Sequence, residues 1–133
     1  MSERPGPGYL PQVAPVTGYG SGGFRFAGMS HRGSLLILPS GMHPFEGRDA
    51  SDLTRDTLAP ALAEAERMDV FILGCGDLPM PVPDALRHAF SAHPLQLDAM
   101  TTSAAVRTVN VLASENRRFG AVLLAVDGPE RRR

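Results

Sequence analysis

Val70-Phe71-Ile72-Leu73-Gly74-Cys75-Gly76 is the stretch that decides how this chain folds. Four apolar residues without a polar interruption do not suit a sheet with one wet face. The run is therefore predicted as a strand buried on both sides and stopped by Gly74. Two further runs have the same character. Ser34-Leu35-Leu36-Ile37-Leu38 ends at Pro39, and Gly120-Ala121-Val122-Leu123-Leu124-Ala125-Val126 contains the last buried strand.

Helical spacing fills the intervals. Leu58, Leu62 and Ala65 mark a first helix, with Pro60 in its first turn if it starts near Thr57, where a missing N–H costs little. Val82, Leu86 and Phe90 recur at i, i+4, i+8 behind Pro81 and Pro83 and mark a second. Leu95, Leu97 and Ala99 alternate with Gln96, Asp98 and Met100, as on an edge strand with one exposed face. A third helix is predicted from about Ser103 to Asn116. Strand, helix, strand, helix, strand calls for right-handed crossovers and a mainly parallel α/β sheet covered on both faces. Upstream, the alternation Phe24-Arg25-Phe26, punctuated by Gly28 and Gly33, predicts a small hairpin feeding the strand at 34–38.

Residues 1–23 are dense in Pro and Gly, a composition that buries little and loses much backbone entropy on ordering. Residues 1–18 are accordingly read as a flexible arm, 19–126 as a single α/β domain, and 127–133 as a charged, fraying tail. Tyr9, Leu10, Val13 and Val16 give the arm apolar points by which it could dock.

The 133-residue length suits one core. A formal charge of −1 from 13 basic and 14 acidic residues supplies no net field for phosphates, which argues against nucleic acid as a partner. Every basic residue is Arg, so a P-loop lysine and a Schiff-base lysine are excluded, and a GC-rich bacterial genome is suggested. Cys75 is the single cysteine, which forbids an internal disulfide or a multi-thiolate zinc site and fits a reducing, cytoplasmic setting. No apolar run approaches the roughly 20 residues that span a bilayer, and the opening residues do not read as a signal peptide.

Two stretches carry candidate chemistry. Gly74-Cys75-Gly76 falls at the carboxyl end of a buried strand, where open α/β sheets place ligand crevices. It completes no phosphate-binding pattern, because Asp77-Leu78-Pro79 follows and Pro79 lacks a donor, so a tight turn is the favoured reading over a cofactor loop. Cys75 has Asp77 and no base beside it, which favours a small buried thiol over a nucleophile. The third helix carries a polar stripe of Ser103, Arg107, Asn110 and Ser114 against an apolar one of Ala105, Val109, Leu112 and Ala113. Thr101, Thr102 and Ser103 offer hydroxyl caps for its first turn. The stripe reads as a capped solvent-facing helix, with Arg107 either holding carbonyls of a neighbouring loop or receiving an anion. His31, His43, His88 and His93 are scattered, and no hydrolase or metalloprotease motif is present.

Four stretches in this order resemble a known family of domains, the one that contains complex I assembly factor 3 and the adipogenesis-associated protein of animals. They are Tyr19-Gly20-Ser21-Gly22-Gly23-Phe24-Arg25-Phe26, Gly33-Ser34-Leu35-Leu36-Ile37-Leu38-Pro39, Val70 to Gly76, and Thr102-Ser103-Ala104-Ala105-Val106-Arg107-Thr108-Val109-Asn110-Val111-Leu112. The resemblance implies a three-layer α/β domain with a mixed central sheet between helices, a small extra β element near the N-terminus, and a final strand antiparallel to the others. Val106 and Val109 stand where the family commonly has Cys and Tyr, while Arg107, Thr108 and Asn110 match.

By that resemblance the chain is expected to be a non-catalytic binding or assembly module, and with no ligand set in the sequence it is expected to fold without cofactor or metal. Its expected partners are other proteins, respiratory-complex assembly proteins among them, in complex I or membrane-protein biogenesis. The alternative is a small-ligand binder or enzyme using a crevice at Gly74, Cys75 and Gly76, with Thr102, Ser103, Arg107, Thr108 and Asn110 as the accompanying candidates. A third reading makes the same polar residues a contact between copies of the chain. A fold supports many functions, so the site must decide.

Overall fold

The computed structural model describes residues 10–132. Its centre is a five-stranded mixed sheet, in spatial order β5-β4-β8-β6-β7. The strands are β4 (Ser34–Leu38), β5 (Gly41–Phe45), β6 (Val70–Gly74), β7 (Gln96–Met100) and β8 (Phe119–Leu123). A smaller antiparallel sheet, ordered β3-β2-β1-β9, is built from β1 (Val16–Gly20), β2 (Gly23–Phe26), β3 (Met29–Arg32) and β9 (Arg131–Arg132). Three helices, α1 (Ala59–Ala63), α2 (Asp84–Ala89) and α3 (Thr102–Ser114), complete the mixed α/β domain.

Strand alternation sorts the continuous apolar runs onto two faces. Leu36, Leu38, Phe71, Leu73 and Val122 pack with Leu58 and Ala61 around α1 and with Leu86 and Phe90 around α2. Leu35, Ile37, Ile72, Ala121 and Leu123 point the other way, onto Ala105, Val106 and Val109 of α3 and onto Val16, Phe24 and Phe26 of the small sheet. Three layers result. Phe71 is wholly buried and meets Phe90 with ring centroids 5.4 Å apart. Burying one such ring contributes about 2–3 kcal/mol.

β6 pairs parallel with both β7 and β8, whereas β4 pairs antiparallel with β8 and with β5. The last central strand is thus parallel to β6 and β7, which corrects the expectation of an antiparallel final strand. β4 alone runs against the other four strands. The reason is connectivity: α2 joins β6 to β7, and α3 returns from β7 past β6 to β8, each a crossover that needs a parallel partner. Right-handed crossovers in opposite directions put their helices on opposite faces, and α2 and α3 do lie in different apolar clusters.

The expected edge at 95–100 is β7, but β5 on the opposite edge has no counterpart in the sequence reading. It carries Pro44, which an edge strand tolerates because one row of N–H groups has no ladder partner. The first helix is shorter than its periodicity suggested, ending at Ala63 with a 3-10 turn at Ala65–Arg67.

Strand pairing reaches into the expected arm and tail, with β1 starting at Val16 and β9 at Arg131. Residues 1–9 of the arm lie outside the described residues. Leu10 bridges Met42, and β1 begins at the buried Val16. The glycines that suggested flexibility serve tight pairing instead. Ser21 (φ 52°) and Gly22 (φ 79°) form the two-residue turn between β1 and β2, and Ala27 (φ 52°) and Gly28 (φ 72°) the one between β2 and β3. In the charged tail, Arg131 and Arg132 add β9 to β1, in register with Tyr19 and Gly18. A Cβ on Gly20 would lie 2.6 Å from the Pro129 carbonyl oxygen, so that passage requires glycine.

Candidate functional site

At the carboxyl end of β6 the chain reverses through Gly74-Cys75-Gly76 against the start of α3. Gly74 is there for close approach: a Cβ would sit 3.0 Å from both the Ala105 Cβ and a Leu123 methyl. Gly76 has φ 95°, which favours glycine.

Thr102, wholly buried, ties this turn to its surroundings. Its hydroxyl donates to the Leu124 carbonyl at 2.7 Å and accepts the Gly76 N–H at 2.9 Å. Its own N–H donates to the Gly76 carbonyl at 2.9 Å. Thr101 is the cap, accepting the Ala104 N–H at 3.3 Å. Two first-turn donors of α3 are thereby satisfied within the protein.

Cys75 is buried, and its thiol donates to the Leu73 carbonyl at 3.4 Å. Burial pushes the thiol pKa up, against a smaller lowering by the backbone contact with Met100. That environment opposes thiolate formation.

The polar stripe of α3 divides. Thr108 donates to the Ala104 carbonyl at 3.0 Å. Asn110 leaves the stripe for β1, its Nδ2 donating to the Val16 carbonyl at 2.8 Å and its Oδ1 accepting the Val16 N–H at 2.9 Å. Ser114 bonds its own helix through the Val111 carbonyl at 2.8 Å. Ser103 and Arg107, one turn apart, are left facing a crevice.

That crevice encloses ≈ 560 Å³. α3 contributes Thr101, Ser103 and Arg107, the turn after β6 contributes Gly76 and Asp77, and the segment after β8 contributes Val126, Gly128, Pro129, Arg131 and Arg132. Tyr19 of β1 also lines it. Arg107 is exposed and, among the described residues, its side chain makes no hydrogen bond or ion pair. It holds no carbonyls of the described loops, contrary to one of the two roles its sequence context suggested.

In the other arginine-bearing concavities most guanidiniums are paired. The ≈ 640 Å³ hollow beside β8 has Arg67, Arg117 and Arg118, and these pair with Glu64 at 3.3 Å, Glu115 at 3.9 Å and Asp69 at 3.7 Å. The ≈ 300 Å³ groove on the small sheet has Arg25 ion-paired to Glu130, with Arg32, which makes no ion pair among the described residues, also on its lining. Arg25 holds the Glu130 carboxyl below the usual carboxylate range, chiefly through their hydrogen bond.

Of the eight residues singled out by sequence, Gly76, Ser103 and Arg107 line the crevice and Thr102 underlies it. Gly74, Cys75, Thr108 and Asn110 serve the framework. Sequence reasoning missed Tyr19, Arg131 and Arg132. The two arginines signalled only as a charged run, Glu130-Arg131-Arg132, and nothing local in it announces that pairing with β1 brings it to α3. Among the described residues, no three His, Cys, Asp or Glu side chains gather to hold a metal ion. No helix among them is long and apolar enough to cross a membrane.

Comparison with known proteins agrees with this architecture. The family described as Protein of unknown function (DUF498/DUF598) matches residues 16–124. An uncharacterised protein of Rhodobacter capsulatus is 39% identical over 114 residues, covering 86% of each chain. The crystal structure of an outer membrane protein from Bartonella henselae superposes with a TM-score of 0.85 at 39% identity, covering 89% of this chain and 99% of that one. A Mth938-like domain of Bordetella pertussis superposes with a TM-score of 0.75 at 24% identity, over 96% of this chain and 94% of that one, a likeness of fold.

Proposed function

Because this chain belongs to the DUF498/DUF598 family of proteins of unknown function, we propose that it is a non-catalytic binding module docking a partner protein at the crevice between α3 and residues 126–132. One observation supports this reading above the others. Arg107 stands exposed and without a partner among the described residues, beside Ser103, while its neighbours Thr102, Thr108 and Asn110 are engaged with backbone. A structural arginine would instead place its five donors on carbonyls or carboxylates.

The resemblance to the family of complex I assembly factor 3 extends the proposal to respiratory-complex or membrane-protein biogenesis, with assembly proteins as partners and no cofactor. A cytoplasmic, bacterial setting is supported by the lone Cys75 and the all-arginine basic set. The Bartonella relative is an outer membrane protein, which makes cell fractionation the direct check of location. The enzymatic alternative at Gly74-Cys75-Gly76 has less support, since the thiol faces inward and Asn110 is occupied by Val16.

The test is a strain lacking this chain, assayed for assembled and active complex I. The proposal expects a deficit restored by the wild-type gene; normal assembly would remove the biogenesis link.

A further inference from the structure

Resting on the docking reading above, we propose that the crevice is an oxyanion site, receiving a carboxylate or phosphate group of the partner between Arg107 on one wall and Arg131 on the other. Residues 127–132 form a strap that completes it.

Charge and placement carry the inference. Arg107, Arg131 and Arg132 all border one concavity, Arg131 on the Tyr19 face of β9 and Arg132 on the opposite face with Glu130, and among the described residues Asp77 is its single acidic lining residue. Arg132 is partly offset by Glu130 at 3.4 Å, whereas neither Arg107 nor Arg131 has an ion-pair partner among the described residues. The Ser103 hydroxyl, one turn before Arg107, likewise makes no hydrogen bond among them. Guanidinium forks match the paired oxygens of carboxylate and phosphate, so both groups share this chemistry.

The strap is held by surface interactions alone, because every residue from 127 to 132 is exposed. Ser21 donates to the Gly128 carbonyl at 2.7 Å, Gly22 donates to the Val126 carbonyl at 2.8 Å, and β9 pairs Arg131 with Tyr19. Residues paired across a ladder share a face, which is why Arg131 joins Tyr19 at the crevice. The Arg25–Glu130 ion pair latches the outer side. Glu130 is thus a positioning residue: it fixes the strap that brings Arg131 to Arg107.

The purified full chain, titrated with inorganic phosphate and separately with a tetra-aspartate peptide amidated at its C-terminus, tests this by NMR. Saturable shifts of backbone amides at 101–107 and 128–132 are expected with at least one probe, the more effective one naming the source of the anion. Shifts with neither would overturn the site. Arg107→Ala and Arg131→Ala should each weaken binding at least about tenfold with the melting point retained. Unchanged affinity in both would also overturn it.

Glu130→Gln separates positioning from bulk charge. Removing an anion beside a cationic crevice strengthens anion binding if charge alone operates, whereas loss of the latch weakens it. Weaker binding, with faster amide exchange at Arg131, is expected; stronger binding would overturn the strap's role. The two readings fail separately. Anion binding in a protein whose Arg107→Ala variant still complements the deletion strain would sink the docking reading alone. Lost complementation without anion binding would sink the oxyanion chemistry alone.

Discussion

Asn110 holds Val16 as a strand neighbour would, with its amide Nδ2 on the Val16 carbonyl at 2.8 Å and its Oδ1 on the Val16 N–H at 2.9 Å. One side chain of α3 thereby fixes the start of β1, and with it the sheet that carries Tyr19 and supports β9. Asn110→Ala removes both bonds and leaves a partly buried backbone pair without partners. The expected loss is about 2 kcal/mol, seen as a melting point about 6–10 °C lower. An unchanged melting point would mean that β1 is held by packing alone.

Thr102 makes the same kind of link at the other end of α3. Thr102→Val keeps the shape but discards the hydroxyl's bonds to the Gly76 N–H and the Leu124 carbonyl. Destabilisation of about 1–3 kcal/mol in a denaturant titration is expected, together with faster amide exchange at Gly76. A variant as stable as wild type would show that the hydroxyl does not anchor the turn.

How much of this was legible in the sequence depends on how local each cause is. The runs at 35–38, 70–73 and 121–126 announced buried strands because a strand covered on both faces needs apolar residues at every position, although the last strand itself spans Phe119–Leu123. β5 was hidden by Gly41 and Pro44, whose placement is acceptable only at an edge that other strands define. β1 was hidden by glycines that look like flexibility but accommodate Pro129 and Glu130, more than a hundred residues away. In the site, helical spacing placed Ser103 and Arg107 on one face. It could not tell that Asn110, on the same stripe, would be claimed by β1, nor which of three consecutive hydroxyls caps the helix. Thr101 caps and Thr102 turns inward because the Gly76 turn and Leu124 lie there.

Cys75 gives a prediction about pH. Burial raises its thiol pKa above the ordinary value of 9.0, so the unfolded chain releases this proton before the folded one. Its contribution to stability is intact below that ordinary value and declines as pH rises through it toward the raised folded value. Cys75→Ser should flatten that alkaline decline and complement a deletion strain. Iodoacetamide at pH 8 should label the native chain only as fast as it opens. Rapid labelling of folded protein would revive a reactive role for the thiol.

The central claim is that Arg107 is held ready for recognition and does not support the fold. The most direct measurement places the Arg107→Ala gene in a strain lacking the chain, with the melting point of the same purified variant alongside. The prediction is a melting point within about 2 °C of wild type, joined to loss of complementation. Full complementation by the folded variant, or a fall in melting point as large as that of Asn110→Ala, would contradict it.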